Sequence, residues 1–221
     1  NVTTTATNVD SYGLSLYGNY DFDRQWFLNG QLGYAYNTVN TDRHNADGAG
    51  ATASGDTHSH QYSAKALAGK DIAVGVNTVL TPSISAAYTH LSTAGYTETG
   101  APGVNLNVHS NDLNVLNRGA GLKAGWTFKN TDGEMIKPTL HAGYGYDVIA
   151  DRVQMTSSFT GDAGSTAFTS IGAAPTRGSL NTGIGITYLS LANWDVSANY
   201  DYTYKTDYRS HTGVMRATLH F

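Results

Sequence analysis

Residues 194–205 read WDVSANYDYTYK, twelve positions in which apolar or aromatic side chains alternate with polar ones. Side chains of a β-strand point to opposite faces with a period of two, so this pattern predicts a strand with one apolar and one polar face. The apolar face carries Trp194, Val196, Ala198, Tyr200, Tyr202 and Tyr204, and the polar face carries Asp195, Ser197, Asn199, Asp201, Thr203 and Lys205.

The same alternation recurs along the whole chain, and no stretch shows the 3.6-residue period of an amphipathic helix. We expect nine strands, near 10–22, 25–40, 60–71, 78–91, 112–128, 140–146, 180–188, 194–205 and 210–221. The parity is ambiguous over 113–118, where a bulge or a loop residue is expected. The predicted fold class is all-β, with antiparallel strands in an up-and-down order.

Composition limits the class of protein. The chain has 221 residues, no cysteine, a formal net charge of −4 and 14% charged residues, against a usual charged share of about a quarter. Without thiols the fold has no disulfides, and without a basic surface we expect no nucleic-acid partner. No run of 18 apolar residues is present, so no transmembrane helix is expected. Two classes stay open, a soluble all-β domain and a membrane β-barrel.

The predicted connections alternate between short and long. Short turns are expected near 22–25, 72–77, 129–135 and 190–193, long polar segments near 41–59, 92–111 and 149–178, and a brief last turn near 206–210. In an up-and-down sheet this order places the short turns at one end and the long loops at the other. Outer-membrane barrels have the same asymmetry, with short periplasmic turns and long extracellular loops.

Tryptophan and tyrosine are sorted between these two ends. Trp26, Trp126 and Trp194 lie within a few residues of a short turn. A second set lies further along the strands, towards the long loops: Tyr36, Tyr88, Tyr144, Tyr146, Tyr202 and Tyr204. Two aromatic girdles are expected where amphipathic rings meet both interfaces of a bilayer, whereas a soluble sandwich has no reason to sort tryptophan by end. The sequence therefore favours an antiparallel up-and-down transmembrane β-barrel.

The other face of the predicted strands carries ionisable side chains that a dry core would reject. The residues expected to face a lumen are Lys65, Lys123, Asp147, Asp201 and Arg216, interleaved with many glycines. Polar groups beside positions without side chains indicate a wet lumen with room for something to occupy or cross it. The glycines can also serve only to let strands bend and close, and both reasons can hold.

The last strand, HTGVMRATLHF at 211–221, is expected to place Met215, Ala217, Leu219 and Phe221 against lipid, with Phe221 at the short-turn rim. Together with DSYGLSLYGNYDF (10–22), QWFLNGQLGYAYNTVNTDR (25–43) and LTPSISAAYTHLSTAGYTETG (80–100), it resembles the C-terminal β-domain of the autotransporters of type V secretion. The motif GYTETG makes the resemblance strongest to the rickettsia-type surface autotransporters.

This resemblance covers essentially all 221 residues. It implies a twelve-stranded barrel in the outer membrane of a Gram-negative bacterium, with a lumenal helix that leads to a secreted passenger. It also implies that the barrel-assembly machinery reads the terminal strand, here Phe221, Leu219, Ala217 and Met215. The implied partners are outer-membrane lipid, that machinery and the chain's own passenger domain, with the long loops extracellular and the C-terminus periplasmic.

One departure from the family pattern is expected to matter. Only nine strands are counted, Asn1–Asp10 resembles the tail of a loop, and the family's lumenal helix and roughly its first three strands have no counterpart. Bacterial single-chain barrels have an even number of strands, so we expect the first and last strands to run parallel beside an open seam. We therefore expect 1–221 to be a β-barrel domain without its N-terminal helix and first strands. The stretch 152–160 could form an extra ladder above the membrane.

A metal site is conceivable at three histidines. His58 and His60 are two residues apart, and His44 could approach them. Imidazoles in a polar loop are usually only solvated, and no carboxylate spacing completes a coordination shell. We expect neither a metal nor a cofactor.

Enzyme activity would need a nucleophile or an activated water at the rim of the barrel. The rim offers Asp42 with His44 and Asp207 with His211, and neither pair belongs to a mechanism-bearing motif. We expect no catalytic residue. The leading hypothesis is a translocator that anchors an N-terminal passenger and exports it to the cell surface. The alternatives are a structural or pore-forming outer-membrane barrel without a passenger and, third, an outer-membrane barrel hydrolase.

Overall fold

The computed structural model describes residues 3–22, 25–164, 166–190 and 194–219. These residues form strands, turns and loops, and none of them belongs to a helix long and apolar enough to cross a bilayer. The strands are β1 (Thr4–Phe22), β2 (Trp26–His44), β3 (Ala53–Lys70), β4 (Ile72–Ala73), β5 (Thr78–Thr93), β6 (Tyr96–Thr97), β7 (Leu106–Val108), β8 (Asn111–Trp126), β9 (Phe128–Lys129), β10 (Met135–Ala150), β11 (Gln154–Phe159), β12 (Ala167–Ile171), β13 (Gly178–Leu189), β14 (Trp194–Lys205) and β15 (Tyr208–Leu219).

Nine long strands form one main sheet in the order β1-β2-β3-β5-β8-β10-β13-β14-β15. Every neighbouring pair is antiparallel. The short strands β4 and β9 pair with β5 and β10 at the short-turn end. The prediction of nine antiparallel strands in an up-and-down order is confirmed.

The register gives the sheet two chemically different faces. One row runs Pro138, Ile186, Ala198 and Met215 across four strands, and the next row runs Lys137, Thr187, Ser197 and Arg216. We call the face of the first row the outer face and that of the second row the inner face. Leu16, Leu32, Ile84 and Leu140 also lie on the outer face, and Asn29, Lys65, Lys123 and Asp201 lie on the inner face.

The space around the glycines shows that the inner face is concave. A Cβ atom added to Gly33, Gly119 or Gly145 on the inner face would lie only 2.5, 2.7 or 2.8 Å from a serine Oγ of the adjacent strand. A Cβ added to Gly18, Gly30 or Gly213 on the outer face would meet nothing within 4 Å. Side chains converge on the concave side of a curved sheet and diverge on the convex side, so the sheet curves around its polar face.

The outer face is apolar and open. Leu14 is 76% exposed, Ile84 67% and Met215 81%. Among the described residues only three apolar side chains are buried, Ala53, Ala101 and Val108, and all three lie at the long-loop end. An exposed apolar surface of this extent marks an interaction with a membrane or a partner rather than with water. The sheet therefore has no dry core beneath its long strands.

Above the main sheet the long loops form a second sheet of four strands, in the order β12-β11-β7-β6. A bridge between Ser54 and Thr99 links this loop sheet to the tip of β3. Strand β11 pairs with both β7 and β12, so the expected extra ladder at 152–160 is confirmed. The three buried apolar residues lie in or beside this loop sheet.

The strands are longer than predicted at the long-loop end, and two expectations are wrong there. Residues 4–10 continue β1 along β2 as far as the pair Thr4 and His44, so the expected loop tail is strand. The first long connection is only 45–52, because β2 and β3 stay paired up to Arg43 and Ala53. Side chains in this part are polar on both faces, and strands outside a bilayer do not need alternation. The irregularity expected near 113–118 is a bulge in β10, between Asp147 and Ile149.

Strands β1 and β15 are the two edges of the main sheet, and no ladder joins them within the described residues. Both run from the long-loop end to the short-turn end, because eight antiparallel steps separate them. The expectation of parallel outer strands beside an open seam is confirmed.

Candidate functional site

The inner face is the candidate functional surface because it is concave and polar. Two open cavities, of about 460 and 370 Å³, lie against it and share Lys65. The first is lined by Tyr17, Asn29 and Gln31. The second is lined by serines, asparagines and glycines of β5, β8, β10 and β13. This surface presents hydrogen-bond donors and acceptors, and its glycines leave open space beside them.

A charged cluster around the buried Asp147 carboxylate connects strands of the inner face near the long-loop end. The Asp147 carboxylate accepts hydrogen bonds from Asn117 Nδ2 at 2.7 Å and from Lys205 Nζ at 3.0 Å. Asp147 is 5% exposed, and its backbone N–H donates to the carbonyl of Arg177. The cluster ties β8, β10 and β14 together across β13. A hydrogen-bonded ion pair with a buried partner restricts the relative positions of the strands that carry it.

A second inner-face pair lies nearer the short-turn end. His141 Nε2 is 3.1 Å from Asp201 Oδ1, and both side chains are more than a third exposed. The remaining predicted lumenal residues are the cations Lys65, Lys123 and Arg216, which have no ion pair within the described part of the chain. All five predicted lumenal residues thus lie on the concave face. That this face lines a lumen stays a prediction.

The outer face carries the aromatic residues in two levels. Trp26, Trp126 and Trp194 lie at the short-turn ends of β2, β8 and β14 and point outwards by register. The predicted tyrosines Tyr36, Tyr88, Tyr144, Tyr146, Tyr202 and Tyr204 lie on the same face towards the long loops. Trp26 and Tyr36 are ten residues apart along β2, and so are Trp194 and Tyr204 along β14. A tilted transmembrane strand needs about 9–11 residues, so this separation fits one bilayer. Contact with the two membrane interfaces stays a prediction.

The predicted assembly signal lies partly outside the described residues. Met215, Ala217 and Leu219 point outwards from β15, where they pair with Ala198, Val196 and Trp194. Phe221 is outside the described range. The three described residues form an apolar stripe along an unpaired sheet edge. Recognition of this stripe stays a prediction.

Tyrosine–histidine contacts on the outer face were missed from the sequence. The Tyr34 hydroxyl is 2.9 Å from His60 Nδ1, and the Tyr200 hydroxyl is 2.7 Å from His211 Nδ1. The Tyr62 and His90 rings stack with centroids 6.4 Å apart. The sequence contained a signal for these contacts. His60 and His90 each lie an even number of residues from an outward tyrosine on the same strand, so strand alternation directs them to its face.

An ion pair holds the loop sheet to β2. The Arg43 guanidinium donates to both carboxylate oxygens of Glu98 and, from Nη2, to the carbonyl of Val104 at 2.8 Å. Glu98 is 4% exposed and also accepts from the Leu106 N–H at 2.9 Å. The hydrogen bond to Glu98 raises the pKa of Arg43, and burial raises the pKa of the adjacent Tyr96. The loop sheet is thus held against β2 by specific hydrogen bonds and an ion pair.

The residues considered for metal binding are only partly brought together. The His58 and His60 rings are 5.6 Å apart, whereas His44 contacts Thr52 instead. His44 lies opposite Thr4, six positions along β2 from the partner of His58, which is about 20 Å at the rise of a strand. The idea that His44 approaches the other two is therefore wrong. Within the described residues no three His, Cys, Asp or Glu side chains form a group that could hold a metal ion.

The rim pairs considered for catalysis do not form. Asp42 accepts from Ser54 Oγ at 2.6 Å. Asp207 accepts from Thr176 at 3.0 Å, while His211 contacts Tyr200. Neither carboxylate is placed to orient an imidazole, which an activated nucleophile or water requires.

A curved antiparallel sheet with an exposed apolar convex face, a polar concave face and its long connections gathered at one end has the features of the outer-membrane β-barrel class. Comparison with known proteins narrows this class to one family. The sequence profile of the autotransporter β-domain matches residues 1–201. The chain therefore belongs to the autotransporter β-domain family, whose members are transport domains of the outer membrane.

The relatives agree with this assignment. Outer membrane protein B of Rickettsia prowazekii (strain Madrid E) is 21% identical over 221 residues, and that of Rickettsia japonica is 25% identical over 222 residues. Each alignment covers 97% of this chain, which spans 13% of the length of these relatives.

Two solved structures share the fold. The translocator domain of the autotransporter NalP from Neisseria meningitidis has a TM-score of 0.68 at 20% identity and aligns with 97% of this chain and 69% of its own. The β-domain of the Bordetella autotransporter BrkA has a TM-score of 0.60 at 15% identity, with 96% and 72% covered.

Proposed function

We propose that this domain forms part of the wall of a translocation pore through which an N-terminal passenger reaches the cell surface, and that it then anchors the passenger. The observation that carries the proposal is the polar, concave inner face within a sheet of the autotransporter β-domain family. Its cations, amides and glycines line two open cavities and offer hydrogen-bonding groups along a hydrated path.

The proposed orientation puts the loop sheet outside the cell and the short turns in the periplasm. Long extracellular loops and short periplasmic turns are the usual arrangement in outer-membrane barrels. The apolar outer face then meets lipid. The barrel-assembly machinery recognises the stripe Met215, Ala217 and Leu219 together with Phe221 at the end of the last strand.

The two free edges support the proposal that the complete barrel contains further strands. An unpaired backbone N–H or C=O group in lipid costs several kcal/mol, so edges as long as β1 and β15 need partners. An odd number of additional strands gives an even total and lets both edges pair antiparallel. We propose three strands, preceded by a lumenal helix, in the part of the polypeptide before this domain.

Crosslinking to a stalled passenger tests which face lines the path. Ser83 on the inner face and Ile84 on the outer face are neighbours in β5, and the chain has no cysteine. In the full-length protein, a passenger with one cysteine and a stably folded insert should stall during export. We expect it to form a disulfide with Ser83→Cys and not with Ile84→Cys.

The same two cysteine variants also define the result that would reject the proposal. Crosslinking through Ile84→Cys but not through Ser83→Cys would mean that the passenger does not pass along the inner face. A water-soluble maleimide provides the control in the absence of a passenger, and it should label Ser83→Cys in intact outer membranes while sparing Ile84→Cys.

A further inference from the structure

Five basic or imidazole side chains on the outer face are each the direct ladder partner of an outward tyrosine. The pairs are His60 with Tyr36, His90 with Tyr62, Arg118 with Tyr146, Arg209 with Tyr204 and His211 with Tyr202. We call the five residues His60, His90, Arg118, Arg209 and His211 the basic belt.

Ring contacts hold several members of the basic belt against their tyrosines. The Tyr36 and His60 ring centroids are 5.3 Å apart, and those of Tyr202 and His211 are 4.9 Å apart. The Arg209 guanidinium lies 5.8 Å from the centroid of Tyr204, within the range of a cation–π interaction. These side chains thus project from the outer face, each beside an outward tyrosine.

A carboxylate lies near one member of the belt, because Asp151, just beyond β10, accepts hydrogen bonds from the backbone and side chain of Asn114, the ladder partner of His90. The outer-face carboxylates of the described strands are Asp10, Asp42, Asp56 and Asp112, and on its own strand each lies closer to the long loops than the nearest belt residue or tyrosine. Arg118 has no ion pair within the described part of the chain. A permanent cation at the edge of an apolar surface, without a protein anion beside it, is complementary to an anion from outside.

The histidines have nitrogens available for the same ligand. Nδ1 of His60 and of His211 is occupied by a tyrosine hydroxyl. When the hydroxyl donates, the ring proton is on Nε2, which then becomes a donor directed away from the tyrosine. The belt therefore combines two guanidinium groups with imidazole donors, and guanidinium matches phosphate oxygens in a bidentate geometry.

We infer that the basic belt binds the phosphate groups of lipid headgroups in the leaflet next to the long loops. The inference rests on the proposed contact of the outer face with lipid. The tyrosines mark the level of the membrane interface, where aromatic rings and headgroups meet. The belt lies at that level, and basic residues near a bilayer attract anionic headgroups.

Lipid selectivity of the purified full-length protein in nanodiscs tests the inference. The probes are diphosphoryl lipid A and the same lipid without its phosphates, each mixed into phosphatidylcholine, and native mass spectrometry measures which lipid stays bound. We expect the wild type to retain the phosphorylated lipid preferentially. Arg118→Gln and Arg209→Gln should each reduce this preference about fivefold, the size expected for one basic residue at an anionic surface.

Matched variants separate charge at the belt from total charge. Lys65→Gln with Lys123→Gln removes two positive charges from the inner face and should leave the preference unchanged. Arg118→Lys with Arg209→Lys should keep most of it. An unchanged preference in the glutamine variants, or an equal loss in the inner-face variant, would overturn the inference.

Two further arms cover the remaining outcomes. Inorganic phosphate at millimolar concentration should not abolish the preference, and its doing so would indicate a site for free phosphate instead of a headgroup. If a glutamine variant does not fold, the salt dependence of the wild-type protein tests the inference instead. Its preference for the phosphorylated lipid should fall between about 50 and 500 mM salt, because salt screens the charges. A preference that does not depend on salt would reject lipid binding by the basic belt. No export step takes part, so failure here is distinguishable from failure of translocation.

Discussion

At the scale of single residues, the parity of a strand position determines which environment its side chain meets. Ala198 and Asn199 are adjacent in β14, yet Ala198 pairs with Ile186 and Met215 on the outer face, while Asn199 pairs with Gly185 and Val214 on the inner face. Neighbours in sequence therefore respond differently to the same substitution.

An arginine scan of these two positions should show the difference. We expect Ala198→Arg to lower the free energy of unfolding by about 2–4 kcal/mol, because a charge near the bilayer midplane is costly. Asn199→Arg should have a far smaller effect, since the inner face is hydrated. Urea titration of the full-length barrel in lipid vesicles measures both, and equal losses would contradict the assignment of the faces.

At the scale of elements, the loop sheet depends on one ion pair. Glu98→Ala removes the partner of a largely buried guanidinium, which costs about 3–5 kcal/mol, and it removes the acceptor for the Leu106 N–H. We expect amide hydrogen exchange over 94–108 to accelerate by at least about a hundredfold, while exchange in β5 and β8 below the loop stays slow.

Asp56→Ala is the control for that measurement. Asp56 lies at the same end of the molecule, on the outer face of β3. Its removal should leave exchange over 94–108 unchanged. Similar acceleration in both variants would mean that the Arg43–Glu98 pair has no special role in holding the loop sheet.

The last strand is the element that we expect to control assembly. Deleting Phe221, or replacing it with a charged residue, should lower the amount of full-length protein inserted in the outer membrane severalfold. His220→Ala should have little effect, because the sequence alternation predicts that His220 faces the polar side. Heat-modifiable mobility of outer-membrane fractions on gels counts inserted barrels, and equal levels in the two variants would argue against Phe221 as a signal.

At the scale of the whole molecule, the sequence predicted the sheet and its two faces because strand alternation is a direct consequence of backbone geometry. It did not predict the strand extensions at 4–10 and 41–44, where polar residues on both faces leave no alternation to detect. Contacts between distant strands also stayed hidden. The pairing of Asp147 with Lys205 across β13 depends on the registers of the two ladders that β13 forms with β10 and β14, and the alternation within one strand does not fix a register.

The open seam leads to a prediction for the isolated domain. Refolded alone in detergent, residues 1–221 should associate through the edges β1 and β15 and give no compact, heat-modifiable monomer. A longer β-domain from the same polypeptide, with the segment before Asn1 included, should give one. Size-exclusion chromatography distinguishes the two cases, and a compact closed monomer of 1–221 would contradict the proposed missing strands.

The bulge in β10 has a consequence for natural variation. Val148 is the extra residue of this bulge and has no ladder partner in β8. The ladder resumes above it with Ile149 opposite Leu116. We expect an inserted residue at this height to cost little, because the strand is predicted to leave the bilayer just beyond Tyr146. The same insertion between Leu140 and Tyr144 would move every later side chain of β10 to the opposite face of the sheet. Alternatively, it would place a bulge where the strand is expected to face lipid. Insertions and deletions that survive among homologous genes should therefore concentrate from Val148 upwards and in the connections, whereas the segment between the tryptophans and tyrosines should change by substitution alone.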